Sequence, residues 1–124
     1  WFTYFVLQHS DKIYINKRIR KDIWKNLYEF FLIESEGRQS LKILLNKAEK
    51  NLLVPKKDYK LDSISKPLVR LLTHQKIEIQ FIKLKLNSRI LIKGLKAVRI
   101  NDLDRYPFPK TLKEYLESEL LLVN

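Results

Sequence analysis

Two histidines, His9 and His74, are the side chains of this sequence that could exchange protons near neutral pH. They lie far apart in the chain, and neither has a carboxylate at the spacing of a metal-ligand pair. Cysteine is absent, which excludes a thiolate nucleophile, a disulfide framework and a cysteine-ligated metal. The two glycines, Gly37 and Gly94, are isolated and cannot form a phosphate-binding loop. We therefore predict no catalytic residue and no metal site in this chain.

His74 has the more suggestive surroundings, in the stretch LLTHQKIEIQF at 71–81. Leu72, Thr73 and His74 stand directly before a run that alternates apolar and polar residues, as a half-buried strand does. An imidazole at this position can be satisfied by nearby backbone groups, or it can contact a ligand. The spacing alone leaves both interpretations open.

The charge balance indicates what kind of ligand the chain meets. There are 25 basic and 14 acidic residues, which gives a net charge of +11. Such an excess favours a nucleic-acid ligand, because each cation placed on a phosphate releases counterions. The less favoured alternative is that these charges only keep the protein surface soluble. An anionic membrane fits less well, since no segment joins a wide apolar face to a lysine-rich face free of acidic residues. No apolar run approaches the roughly 20 residues of a membrane helix.

Much of this positive charge is concentrated in one short segment. Its basic residues are Lys17, Arg18, Arg20, Lys21 and Lys25. The segment is either a solvated loop or a set of phosphate contacts, and the close clustering favours phosphate contacts. Trp24 lies within it among apolar neighbours and is predicted to pack in the core.

The strands that would position these residues can be located from β-branched and aromatic runs. Residues 2–19 contain two such runs around Ser10 and Asp11, which predicts a hairpin. A third apolar run covers 27–35. Further strands are predicted at 68–72, 77–86 and 96–103.

Two helices are predicted where apolar residues recur at helical spacing rather than in the alternation of a strand. Leucines at helical spacing predict a helix over 38–50, which Ser35 or Ser40 could cap. A second helix begins near Pro109. Its predicted buried stripe is Leu112, Tyr115, Leu116 and Leu120.

The segment 54–67 is predicted to be a polar loop with a short extended piece. In the strand at 77–86 the apolar positions change parity after Phe81, which indicates either a bulge or burial first on one side and then on the other. Strands and helices of this order predict a single α+β domain over residues 1–124.

Three segments, at 12–34, 68–86 and 106–116, resemble the C-terminal domain of MutY-type A/G-specific adenine DNA glycosylases. KIYINKRIRKDIWKNLYEFFLIE resembles its opening strand, basic loop and Leu-Trp-x-x-Leu-x-x-Phe signature. LVRLLTHQKIEIQFIKLKL resembles its lesion-reading loop and next strand, and YPFPKTLKEYL its closing segment. The resemblance implies a Nudix-like fold, a mixed β-sheet flanked by helices.

The resemblance also implies a function in DNA base-excision repair, the recognition of 8-oxoguanine paired with adenine. Leu72, Thr73 and His74 would contact the lesion, and the basic segment would contact phosphates. The implied partners are double-stranded DNA containing 8-oxoguanine and the protein's own N-terminal catalytic domain, which would carry a 4Fe-4S cluster. The chain begins at Trp1 and would be a fragment without a cofactor of its own, from a DNA-associated protein of the bacterial cytoplasm.

Several positions depart from the family pattern. Leu72 replaces a common Phe, which keeps bulk but loses aromatic stacking; Asp22 and Phe31 replace a usual Gly and Pro. A working Nudix hydrolase needs a glycine-initiated helix with an Arg-Glu-x-x-Glu-Glu core for divalent cations, but here Glu49 is the only carboxylate. We therefore expect a fragment that is not itself an enzyme. The alternatives are a Nudix-type hydrolase of oxidised nucleotides and a non-catalytic protein-interaction module.

Overall fold

The computed structural model describes residues 1–18, 26–72 and 74–119, with Leu72 described by its backbone alone. The predicted N-terminal hairpin is confirmed: strand β1 covers Phe2–His9 and strand β2 covers Lys12–Lys17. They pair antiparallel, with His9 opposite Lys12. Ser10 adopts φ 55°, a left-handed conformation that closes so short a turn.

The apolar run at 27–35 forms two strands where one was predicted. Strand β3, Tyr28–Glu29, pairs with β2, and strand β4, Phe31–Glu34, pairs with the first half of β1. Phe30 separates them and is fully buried, with its ring edge-on to those of Tyr4 and Phe81. The chain thus changes strand partner at the buried Phe30 ring. The alternation of apolar and polar residues in the sequence does not reveal this change.

Four more strands complete the sheet. They are β5 (Tyr59–Ile64), β6 (Leu68–Leu72), β7 (Gln75–Leu86) and β8 (Lys96–Arg99). The central pair, β1 and β7, is parallel, while the other pairs among the described strands are antiparallel. The mixed sheet expected from the sequence is therefore confirmed. The extended piece predicted within 54–67 is confirmed as the six-residue strand β5, and β7 is long enough to pair with both β5 and β6.

The two predicted helices are confirmed with shifted ends. Helix α1 covers Leu41–Leu52. Ser40 is its N-cap, and the Ser40 Oγ accepts a hydrogen bond from Ile43 N. Helix α2 covers Lys110–Glu119, directly after Pro109. The predicted strand at 96–103 ends at Arg99 and continues as a 3-10 helix, Ile100–Arg105. No helix in the described ranges is long and apolar enough to cross a membrane.

The two helices cover opposite faces of the sheet, and this arrangement explains the parity change in β7. Ile77, Ile79 and Phe81 belong to the core beneath α2, whereas Ile82, Leu84 and Leu86 belong to the core beneath α1. Successive side chains of a strand point to opposite faces. β7 is thus buried first on one side and then on the other, and its parallel register with β1 runs without interruption.

Candidate functional site

A cleft of about 630 Å³ opens beside the ends of β2, β3 and β4. Asn16, Lys17 and Arg18 line it from the end of β2, and Glu29, Phe31, Leu32 and Glu34 line it from β3 and β4. The last turn of α1 contributes Asn51 and Leu52, and a loop contributes residues 93–95. Charged groups and an apolar wall therefore meet in one concave site, as they do in small-molecule sites.

A buried ion pair lies in the lining of this cleft. The Arg18 Nη1 atom lies 2.6 Å from Glu29 Oε1, and the two side chains are 2% and 10% exposed. Asn16 Nδ2 donates to the other carboxylate oxygen at 3.3 Å, and the Arg18 guanidinium lies over the Phe2 ring. Removing one member of such a pair leaves an uncompensated buried charge. The pair therefore holds the ends of β2 and β3 in fixed positions.

Exposed charges line the same cleft. Lys17 and Lys93 provide ammonium groups, and Glu34 provides an exposed carboxylate. The loop carrying Lys93 is held by Tyr14, whose hydroxyl donates to Ile90 O at 2.5 Å and accepts from Ile90 N at 3.1 Å. Next to Lys93, Gly94 adopts φ 85°, a conformation that glycine accommodates without strain. Two cations from distant segments can thus offset the charge of a phosphate group in this cleft.

The predicted basic segment is only partly within the described residues. Lys17 is exposed in the cleft, while Arg18 is buried against Glu29. Arg20, Lys21 and Lys25, together with Trp24, lie outside the described residues. Phosphate contact by this segment stays a prediction.

The predicted lesion-reading loop lies in the turn between β6 and β7. The backbone of Leu72 pairs with Gln75, and His74 is exposed in the turn. Thr73 lies outside the described residues, as does the side chain of Leu72. His74 is not part of the cleft lining. The structure therefore does not bring His74 into the cleft with Lys17 and Arg18, and lesion contact stays a prediction.

Sequence reasoning missed most of the cleft. Glu34, Asn51 and Lys93 come from separate segments with no common spacing. Glu29 did carry a signal, because a carboxylate inside the aromatic run YEFF is rarely buried unless it is paired.

With this fold and cleft, the chain belongs to the NUDIX domain family, whose model matches residues 3–118. The fold is shared with a C. elegans Ap4A hydrolase in a binary complex, at TM-score 0.72 and 8% identity over 94% of this chain and 91% of that one. A Nudix hydrolase from M. smegmatis, RenU, aligns at TM-score 0.68 and 8% identity, over 99% and 89%. The DNA mismatch repair protein MutT (family Nudix hydrolase) of methicillin-resistant Staphylococcus aureus 252 aligns at TM-score 0.64 and 15% identity, over 95% of each chain. No protein of curated function matches the chain in sequence.

The prediction that this chain is not an enzyme is contradicted by these matches, because the chain belongs to the NUDIX domain family and the solved structures that share its fold are named as hydrolases. That prediction depended on a single helix, whereas the family match spans nearly the whole chain. The matches support a Nudix domain and do not point to the adenine glycosylase domain in particular.

Nudix hydrolases hold divalent cations with carboxylates of one helix, and the corresponding helix here is α1. Glu49 is the only carboxylate of α1, and its Oε2 accepts a hydrogen bond from the Tyr59 hydroxyl. Within the described ranges there is no group of three or more His, Cys, Asp or Glu side chains placed to hold a metal ion. The described residues do not fit such a cation.

Proposed function

We propose that this chain is a Nudix-type hydrolase that binds an oxidised purine nucleotide in the cleft and hydrolyses its phosphoanhydride. The observation that carries the proposal is the meeting of Lys17 and Lys93, exposed cations from distant segments, in one cleft with Phe31 and Leu32. Ammonium groups suit phosphate, and an apolar wall suits a base. The hydrolase class of the similar folds supports the same assignment.

In the proposed reaction, water attacks one phosphorus atom and the bridging phosphorus–oxygen bond breaks, which releases two phosphate products. Lys17 and Lys93 offset the charge that develops on the phosphate oxygens. Glu34 accepts the proton that the attacking water loses, a contribution of about 10²-fold or more for a well-placed base. The Arg18–Glu29 pair keeps the cleft wall in place and does not itself contact the reacting atoms.

The test is a hydrolysis assay with 8-oxo-dGTP and dGTP, each with and without Mg²⁺. We expect faster turnover of the oxidised nucleotide. Glu34→Gln should lower kcat by about 10²-fold with little change in KM, because it removes the base but keeps the shape. Lys17→Ala with Lys93→Ala should lower kcat as well as raise KM, because the same ammonium groups bind the phosphate oxygens and offset the charge that develops on them. Lys110→Ala, on α2 and outside the cleft lining, is the control. The absence of turnover with either nucleotide would contradict the proposal.

A second candidate is the recognition of 8-oxoguanine in DNA, as the C-terminal domain of an adenine glycosylase. The observation that favours it is α1, where lysines and one hydrogen-bonded Glu49 stand in place of a carboxylate cluster. The partners would be duplex DNA with the lesion and an N-terminal catalytic domain with its iron-sulfur cluster. His74, exposed in its turn, and Thr73 would read the lesion.

This candidate is tested in the full-length protein. Thr73→Ala with His74→Ala should lower the preference for adenine opposite 8-oxoguanine over adenine opposite guanine. A lost contact of this kind costs on the order of 1 to 3 kcal/mol. Single-turnover cleavage at saturating enzyme should change less. An unchanged preference would contradict this candidate.

A further inference from the structure

The solvent-facing side of helix α1 carries basic charge along its whole length. The outward positions are Lys42, Ile43, Asn46, Lys47, Lys50 and Asn51. The opposite side, formed by Leu44, Ala48 and Leu52, is buried on the sheet. We call Lys42, Lys47 and Lys50 the α1 basic face. Because the buried side holds the helix on the core, the positions along α1 from which these three side chains extend are fixed.

The charges of the α1 basic face are not neutralised within the described part of the chain. Lys47 Nζ donates to the neutral amide oxygen of Gln39 at 2.9 Å. Glu49 is on the same helix but accepts a hydrogen bond from the Tyr59 hydroxyl. None of the three lysines forms an ion pair with a described carboxylate. The next turn of chain adds two more exposed lysines, Lys56 and Lys57.

We propose that the α1 basic face binds the phosphate backbone of double-stranded DNA. Lys50 lies eight positions after Lys42, which corresponds to about 12 Å along a helix. A duplex carries one negative charge per about 1.7 Å of its axis, so several phosphates lie within that length. An excess of positive charge on a rigid face is the expected complement to such a polyanion, and binding releases its counterions.

Other partners suit this face less well. An interfacial membrane helix must insert a wide apolar side, but the apolar side of α1 is already buried. The exposed apolar residues here, Ile43 and Leu53, lie ten positions apart and form no such side. A protein interface is usually centred on buried aromatic anchors, and the outward positions of α1 carry no aromatic residue.

This inference goes beyond nucleotide hydrolysis, because the three lysines do not line the cleft. Its outcome does not depend on turnover, and hydrolysis can be measured on the same variants. Loss of DNA binding with hydrolysis intact would separate the two sites.

The experiment measures the affinity of an undamaged 20-base-pair duplex at several salt concentrations. The variant Lys42→Glu with Lys50→Glu changes the charge of α1, and Lys110→Glu with Lys113→Glu makes the same charge change on exposed positions of α2. We expect the α1 variant to bind DNA about tenfold more weakly. The plot of the logarithm of the binding constant against the logarithm of the salt concentration should also lose about 2 from the magnitude of its slope, since two phosphate contacts are lost. The α2 variant should change both quantities much less.

A second pair of variants replaces the same lysines by Gln, Lys42 and Lys50 on α1 and Lys110 and Lys113 on α2, which disturbs the helices less. Circular dichroism verifies that each variant is folded. Equal losses in the α1 and α2 variants would overturn the proposal, because net charge alone would then explain binding. Undetectable binding of the unmodified protein at low salt would also overturn it. Binding to phosphatidylserine vesicles that depends on Lys42 and Lys50, with DNA affinity unchanged, would assign the face to membranes instead.

Discussion

Helices α1 and α2 pack on opposite faces of one sheet, yet they present different charges to solvent. The outward side of α1 carries Lys42, Lys47 and Lys50. The outward side of α2 mixes both signs, with the residues Lys110, Lys113, Glu114, Glu117 and Glu119. Packing constrains only the buried stripe of each helix. The exposed positions can therefore take up a binding function on one helix and not on the other without a change of fold.

The cores beneath the two helices differ as well. Beneath α2 the rings of Tyr4, Phe30, Phe81 and Tyr115 form one connected cluster, in which Phe81 stacks on Tyr115 with centroids 4.2 Å apart. The core beneath α1 also contains Phe5, Tyr14 and Tyr59, but these three rings form no cluster with one another among the described ring contacts, and Phe5 pairs with Phe31 instead. Aromatic pairs add stabilisation beyond the area that they bury. We infer that the α2 side contributes more to stability, while the α1 side presents the binding charges.

The largest expected effect is that of Phe81→Ala beneath α2. We expect a loss of about 4 kcal/mol in the free energy of unfolding, because the cavity also removes the contacts with Tyr4 and Tyr115. Leu84→Ala beneath α1 is the matched variant and should cost about 3 kcal/mol. Urea denaturation of both variants measures the difference. A greater loss for Leu84→Ala would reverse our assignment of the more stabilising side.

A smaller effect is expected from removing the side-chain hydrogen bond that joins each helix to the sheet. Tyr59 of β5 donates to Glu49 of α1, and Arg70 of β6 donates through Nε to Thr111 of α2 at 3.2 Å. Tyr59→Phe should cost about 1 kcal/mol, since it removes a hydrogen bond to a partly exposed carboxylate. Thr111→Val is the counterpart on α2. Thermal unfolding at neutral pH compares them.

The Tyr59 link also predicts a pH dependence. Burial, the hydrogen bond to Glu49 and the charge of Glu49 raise the pKa of Tyr59 above its usual value. The folded state therefore holds this proton more tightly than the unfolded chain, whose tyrosine pKa is near 10. The resulting stability is present below about pH 10 and is lost as the pH rises toward the folded pKa. The Tm of the unmodified protein should fall more steeply between pH 9 and 11 than that of Tyr59→Phe.

The pKa of Tyr115 beneath α2 is raised too, first by burial and then by the charges of Glu119 and Asp62. Some alkaline loss should therefore remain in Tyr59→Phe. Identical Tm profiles for Tyr59→Phe and the unmodified protein would show that the Tyr59 link contributes nothing to the pH dependence.

The smallest expected effect concerns how the helices begin. α1 has a side-chain cap, Ser40 Oγ to Ile43 N at 3.3 Å, whereas α2 follows Pro109. Ser40→Ala should cost about 0.5 kcal/mol, because the bond is exposed and long. Ser40→Asp should restore the stability, and chemical denaturation can resolve the series. Equal stability of Ser40→Ala and the unmodified protein would show that α1 begins without help from this serine.

Local pattern was sufficient for most of the elements. The hairpin at Ser10, both helices and the strands β6 and β7 follow from periodicity and from turn or cap residues, which act over a few positions. The bounds of β5 and the division at Phe30 did not follow, because these strands form through pairing with partners distant in sequence. The same limit applied to the site, since β2, β3–β4, the end of α1 and the loop at 93–95 meet only in the folded chain.

The sequence by itself determined the alternation of strands and helices, the net charge of +11 and the lysines on the outward side of α1, because each of these depends on composition or on short spacing. Tertiary structure alone decided that Arg18 is buried against Glu29 rather than exposed with its basic neighbours. It also decided that Lys17 and Lys93 share a cleft and that β7 is buried on both sides. The physical reason is that burial and charge pairing depend on which segments become neighbours in the folded chain. The pairing of β2 with β3 brings Arg18 to Glu29, and the parallel pairing of β1 with β7 places β7 inside the sheet, where both of its faces are covered.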